Sequence, residues 1–158
     1  MDSNFLAELH PKIVHFPIAL LSIYAMLEIA GILLKKESVN KCALLLLCLG
    51  VAASFFAVLS GNDAFSAFQL WTKESTDVLN EHQKYATFLL WFSLIICALR
   101  FFLTLKKKFK GYKKFVFLIF SLIILFLVYQ TGEHGGKLVA KFGIGTELDL
   151  GKTKNNNK

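Results

Sequence analysis

The sequence predicts an all-α membrane protein: four transmembrane helices in one bundle, with both termini on the outer side. Three observations carry that prediction. Of the 158 residues, 55% are hydrophobic and 18% charged, with a mean hydropathy of +0.54. A soluble domain would carry more charge and interrupt its apolar runs more often. Four of those runs approach the roughly 20 helical residues that cross a bilayer core. Nine lysines crowd into the two short connections that follow the first and third runs, which is the positive-inside pattern of the cytoplasmic membrane.

Taken in order, residues 1–12 are mixed and slightly acidic, and Phe5, Leu6 and Leu9 fit one amphipathic turn at the interface. Pro11 suits the first turn of a helix, where a missing N–H costs nothing. The first helix is expected over 13–34, with Pro17 as a kink and Glu28 well inside the run. A carboxylate at that depth costs roughly 2.5–3.5 kcal/mol, so it should face the bundle and find a partner or stay protonated. No basic segment precedes this run and no cleavage site follows it, so it is expected to remain as a membrane helix. The second helix is expected over 42–61, with Gly50, Ala52, Ala53, Ala57 and Gly61 giving a small-residue face for close helix contact.

Residues 64–81 read as an ordered loop or short surface helix. Phe65, Phe68 and Trp71 serve there as interfacial anchors, and Ser75, Asp77 and Asn80 as caps. The third helix is expected over 82–105, with Arg100 snorkelling to the headgroups. The fourth is expected over 115–132, ending in the glycines Gly132, Gly135 and Gly136, with 137–145 folding back against the bundle. Residues 1–150 form a single domain, and 151–158, with three consecutive asparagines, are expected to be a disordered tail.

The net charge of +7 does not signal nucleic acid, because no basic face is interleaved with exposed aromatics. Cys42, Cys48 and Cys97 lie within apolar runs without a Cys-x-x-Cys pair, which argues against a zinc knuckle, a thioredoxin-type pair or covalent haem attachment. They read as small apolar residues. Nothing resembles a nucleophile–base pair or a phosphate-cradling loop, so the chain reads as a non-enzyme on its own.

The chemical signal is the histidines. His10, His15, His82 and His134 all fall at the same membrane face in this topology, joined by Asp63, Glu81, Gln130 and Glu133. His15-x-x-x-Ala19 opens the first helix and His82-x-x-x-Ala86 the third. Imidazoles on facing helices can clamp a haem, with small residues one turn deeper leaving room for its edge. The leading expectation is therefore a haem b-binding electron-transfer or accessory subunit beside a membrane redox partner. His15 and His82 are the preferred axial ligands, His134 the alternate, and His10 the histidine most readily explained as structural. A second expectation is a periplasm-facing zinc or copper site built from His15, His82 and His134 with Asp63 or Glu133, although no His-x-x-x-His motif is present. A third is a structural or assembly subunit, or a homo-oligomer, in which these histidines are ordinary polar residues at helix ends.

One set of motifs carries a family resemblance. It comprises His10-Pro11-x-x-Val14-His15-Phe16-Pro17, Ser60-Gly61-x-Asp63, His82-x-x-x-Ala86, and Gly135-Gly136-x-Leu138-Val139 followed by Gly143-x-Gly145. This pattern resembles the bacterial predicted membrane protein family known as domain of unknown function 2231, over nearly the whole chain. The resemblance implies a four-helix inner-membrane protein, in a family sometimes found beside electron-transfer proteins. Ala140 departs from the pattern, which favours an aromatic residue there.

Overall fold

The computed structural model describes residues 5–68 and 71–145. Among them the chain is helical throughout: α1 Phe5–Ile13, α2 His15–Leu33, α3 Glu37–Ala67, α4 Lys73–Leu105 and α5 Tyr112–Phe142. Four stretches are long and apolar enough to cross a membrane, with α1 and α2 forming the first of them. The expected tail 151–158 lies outside the described residues.

The break between α1 and α2 falls at Val14. Pro17 explains it, because a proline cannot donate to the carbonyl four residues back, here that of Ile13. The turn is otherwise intact: Val14 N–H reaches the His10 carbonyl at 3.1 Å. The helix begins at Phe5, earlier than expected, so Pro11 stands inside α1 rather than in its first turn.

Helices α2 and α4 run antiparallel to α3 and α5. Each long helix packs on two others in the ring α2–α3–α4–α5, and α1 lies against α3. One end of the ring carries the two short lysine-rich turns. The other carries the α3–α4 connection and both ends of the described chain, where Gly145 approaches Pro11.

The end of α3, the start of α4 and the end of α5 also differ from expectation, each for a local reason. The α3–α4 connection is only a few residues long, because α3 continues to Ala67 and α4 starts at Lys73. Thr72 is the N-cap of α4: its hydroxyl accepts from Ser75 N–H at 3.2 Å, and Ser75 Oγ accepts from Thr72 N–H at 2.9 Å. This reciprocal box satisfies two otherwise orphaned donors. Phe65 and Phe68 pack on Trp71, with ring centres 5.4 and 4.7 Å from it.

Helix α5 runs straight through Gly132, Gly135 and Gly136 and stops at Gly143. Residues 137–142 therefore extend the helix instead of folding back. A glycine inside a helix costs about 0.5–1 kcal/mol, but burial of Leu138 and packing of Gly135 offset that cost. Gly143 has φ 68°, and the amides of Gly143 and Ile144 return to the carbonyls of Val139 and Leu138. That is a left-handed glycine stop.

The core of the ring is apolar and small, centred on Leu21, Tyr24, Ala25, Leu47, Ile96 and Ile124. Outside it, Phe16, Met26, Phe56, Trp91, Phe115 and Phe126 are each more than half exposed. A surface this apolar is what lipid covers. The small-residue face of α3 is partly used inside the chain: Gly50 receives Leu21 and Gly61 receives His10.

Candidate histidine site at the end of the bundle

At 1.5 Å per residue, α4 and α5 are about 50 and 46 Å long, well beyond a bilayer core of about 30 Å. Apolar Leu105 abuts Lys106, which fixes one boundary of the apolar zone. Counting about 20 residues back along α4 reaches Ala86. His82 therefore stands in the overhang just beyond the apolar zone, at the end of the bundle that also holds His10 and His134.

Three imidazoles each have a partner at Nδ1 there. His82 Nδ1 lies 3.0 Å from the Thr131 carbonyl, and His134 Nδ1 lies 2.7 Å from the Gln130 carbonyl. A carbonyl only accepts, so in both rings Nδ1 carries the proton. His10 Nδ1 lies 2.9 Å from Ser60 Oγ, which also lies 3.1 Å from the Ala57 carbonyl. In His82 and His134 the lone pair is thereby left on Nε2, and neither Nε2 has a hydrogen-bond partner among the described residues. His82 is close enough to the other two for charge on one to be felt by the next.

Two glycines set the positions of these rings. A Cβ on Gly61 would stand 3.0 Å from His10 Cε1, and one on Gly135 would stand 3.1 Å from His82 Cε1. Tyr85 stacks on His134 with ring centres 5.4 Å apart. Thr131, whose carbonyl holds His82, keeps a buried hydroxyl with no partner among the described residues.

The other residues singled out in the sequence do not join this arrangement. His15 is exposed and makes no hydrogen bond or ion pair among the described residues. Glu133 pairs with Lys137 at 3.0 Å, and Glu81 with Lys84 at 3.5 Å. Asp63 is half-buried and holds none of the histidines. Among the described residues, no three His, Cys, Asp or Glu side chains gather closely enough to hold a metal ion. The zinc or copper set is therefore not assembled there.

Toward the lysine-rich end lies a second polar constellation. Glu28 on α2 and Arg100 on α4 form an ion pair with side chains 0% and 3% exposed. Arg100 Nε donates to Glu28 Oε1 at 2.9 Å, and one terminal nitrogen reaches Glu28 Oε2 and the Asn40 carbonyl, both at 3.4 Å. The other terminal nitrogen donates to Thr104 Oγ1 at 2.7 Å. The guanidinium carbon lies 3.3 Å from the centre of the Phe109 ring. Arg100 therefore turns inward instead of snorkelling, and it is the partner that Glu28 requires at this depth. With its donors directed to protein groups, the guanidinium acts as a clamp joining α2, α3 and α4.

A model of the predicted membrane protein family, domain of unknown function 2231, matches residues 7–148. The chain belongs to this family. No curated protein and no solved structure matches it significantly. In this member of the family, Ser60 anchors His10 and Gly61 makes room for it, while Gly135 does the same for His82. The motif residues far apart in sequence thus meet around the same imidazoles.

Proposed function

We propose that this protein binds haem b at the histidine end of the bundle and serves as an electron-transfer or accessory subunit to a membrane redox partner. The observation that carries the reading is the shared tautomer. His82 and His134 donate Nδ1–H to fixed carbonyls and present Nε2, the form in which imidazole ligates iron and the anchoring that holds a ligand in place. A haem needs only two such nitrogens, so it does not require the close cluster of three or four ligands that a zinc or copper ion would. His82, neighbour to both of the others, would be the ligand common to either pairing, with His134 or His10 as the second. His15, though paired with His82 by the sequence pattern, lacks an anchor. Bound haem would supply one-electron chemistry. The residues of this chain hold it, exclude water with Tyr85, and offer the unpartnered Thr131 hydroxyl to it.

The setting we propose is the inner membrane, with the lysine-rich end in the cytosol. Of the nine lysines there, only Lys41 is ion-paired among the described residues, with Glu37. At the histidine end Lys84, Lys137 and Lys141 are each matched by a glutamate. Those nine lysines outnumber the five described at the histidine end, Lys12, Lys73, Lys84, Lys137 and Lys141, and it is the count of basic residues that supports this orientation.

The test is a reduced-minus-oxidised visible spectrum of protein purified in mild detergent from haem-replete cells. The expected result is a b-type spectrum that His82→Ala abolishes. His10→Ala or His134→Ala should convert it to a high-spin form, and His15→Ala should leave it unchanged. A featureless spectrum from the unaltered protein removes the haem reading.

A further inference from the structure

Cys48 and Cys97 are 49 positions apart in sequence, yet their sulfurs lie 3.4 Å apart across the α3–α4 contact. Cys48 sits about 16 Å from the start of α3 and Cys97 about 12 Å from the end of α4 at 1.5 Å per residue. Both distances are measured from the lysine-rich end, so the two thiols are level with each other. Both belong to the apolar stretches that cross the membrane, and both are half-buried. The remaining cysteine, Cys42, is exposed and is not part of the pair.

We propose that Cys48 and Cys97 are a redox-active dithiol within the membrane, oxidised to an interhelical disulfide by a lipid-soluble quinone. A disulfide has an S–S length near 2.05 Å, so closing it requires the sulfurs to approach by about 1.4 Å. That is a small adjustment for side chains already in contact on packed helices. In the reaction two S–H bonds break and one S–S bond forms. Two electrons and two protons pass to the quinone, which becomes the quinol. The depth selects the oxidant: a dissolved disulfide such as oxidised glutathione does not enter the hydrocarbon, whereas a quinone resides there and meets side chains that are only half covered by the protein. The product would staple α3, which carries Ser60, to α4, which carries His82. The proposal stands on the sulfur geometry and is independent of haem.

The experiment uses the full chain in its native membranes. Membranes are treated with a short-tailed ubiquinone analogue or with copper–phenanthroline, dissolved in denaturing detergent, labelled with a maleimide, and measured by intact mass. Reduced protein takes three labels. Quinone treatment should leave one label, on Cys42, on a monomer 2 Da lighter, and reductant should restore three. Cys48→Ser should take two labels before and after treatment. Oxidation by copper–phenanthroline but not by the quinone overturns the choice of oxidant. Three labels after both treatments, or only Cys42-linked dimers, overturns the pairing itself.

Discussion

Removing either partner of the Glu28–Arg100 pair should destabilise the bundle, but by unequal amounts and with different pH dependence. Breaking a buried ion pair from one side costs about 3–5 kcal/mol, because the remaining charge is left uncompensated. The two orphans differ. In Glu28→Leu the guanidinium cannot shed its proton, and Thr104, the Asn40 carbonyl and the Phe109 and Phe117 rings are left to hold it. The full cost should appear at every pH. In Arg100→Leu the carboxyl can take up a proton. From an ordinary value near 4.3, neutralising it at pH 7 costs at most about 3.7 kcal/mol, and the cost falls by about 1.36 kcal/mol per pH unit. A carboxyl held neutral in the fold adds stability toward low pH and loses it as pH rises. Between pH 7 and pH 5 the Arg100→Leu deficit should therefore shrink by up to about 2.7 kcal/mol, while that of Glu28→Leu stays put. The double variant should recover most of either loss, because replacing a buried pair with apolar residues is often neutral. The assay is unfolding in mixed micelles followed by circular dichroism at the two pH values. Equal, pH-independent losses, or losses below about 1 kcal/mol for both single variants, would refute the view that this pair is a buried, uncompensated-charge clamp.

Two further predictions follow from the packing. Gly31→Ala and Gly50→Ala should each destabilise by about 1–3 kcal/mol through overpacking, since the new methyls meet Asn40 and the fully buried Leu21. Gly132→Ala and Gly136→Ala, where a Cβ meets nothing within 4 Å, should stabilise by about 0.5–1 kcal/mol; a loss at those two positions in thermal unfolding would mean that another helix covers them. Single cysteines placed in a Cys-free background at Lys107 and at Lys137 should label from opposite sides of intact cells, with only the Lys137 position accessible to an impermeant maleimide. Labelling in the reverse pattern would invert the orientation.

The number of spans, their order and the crowding of lysine at one end are legible because each is a property of a contiguous stretch: hydropathy averaged over a helix, or charge within a turn. Glu28's need for a partner was equally legible, since burying its charge is costly whatever surrounds it. The helix ends were read less well. Gly132, Gly135 and Gly136 predict a stop, and the neighbouring His82 and the burial of Leu138 show why the helix goes on.

The sequence by itself determined that this chain is a membrane bundle with its histidines gathered toward one end. Tertiary structure alone decided which side chains meet. His10 and His15 are five residues apart, which at 100° per residue puts them about 140° apart around a helix. One ring turns to Ser60 while the other is left exposed. The same rotation carries Arg100 inward to Glu28, 72 positions away, and brings Cys48 beside Cys97. Hydropathy fixes how deep a residue sits along the helix axis. The facing of one helix against the next fixes its azimuth, and contacts depend on both.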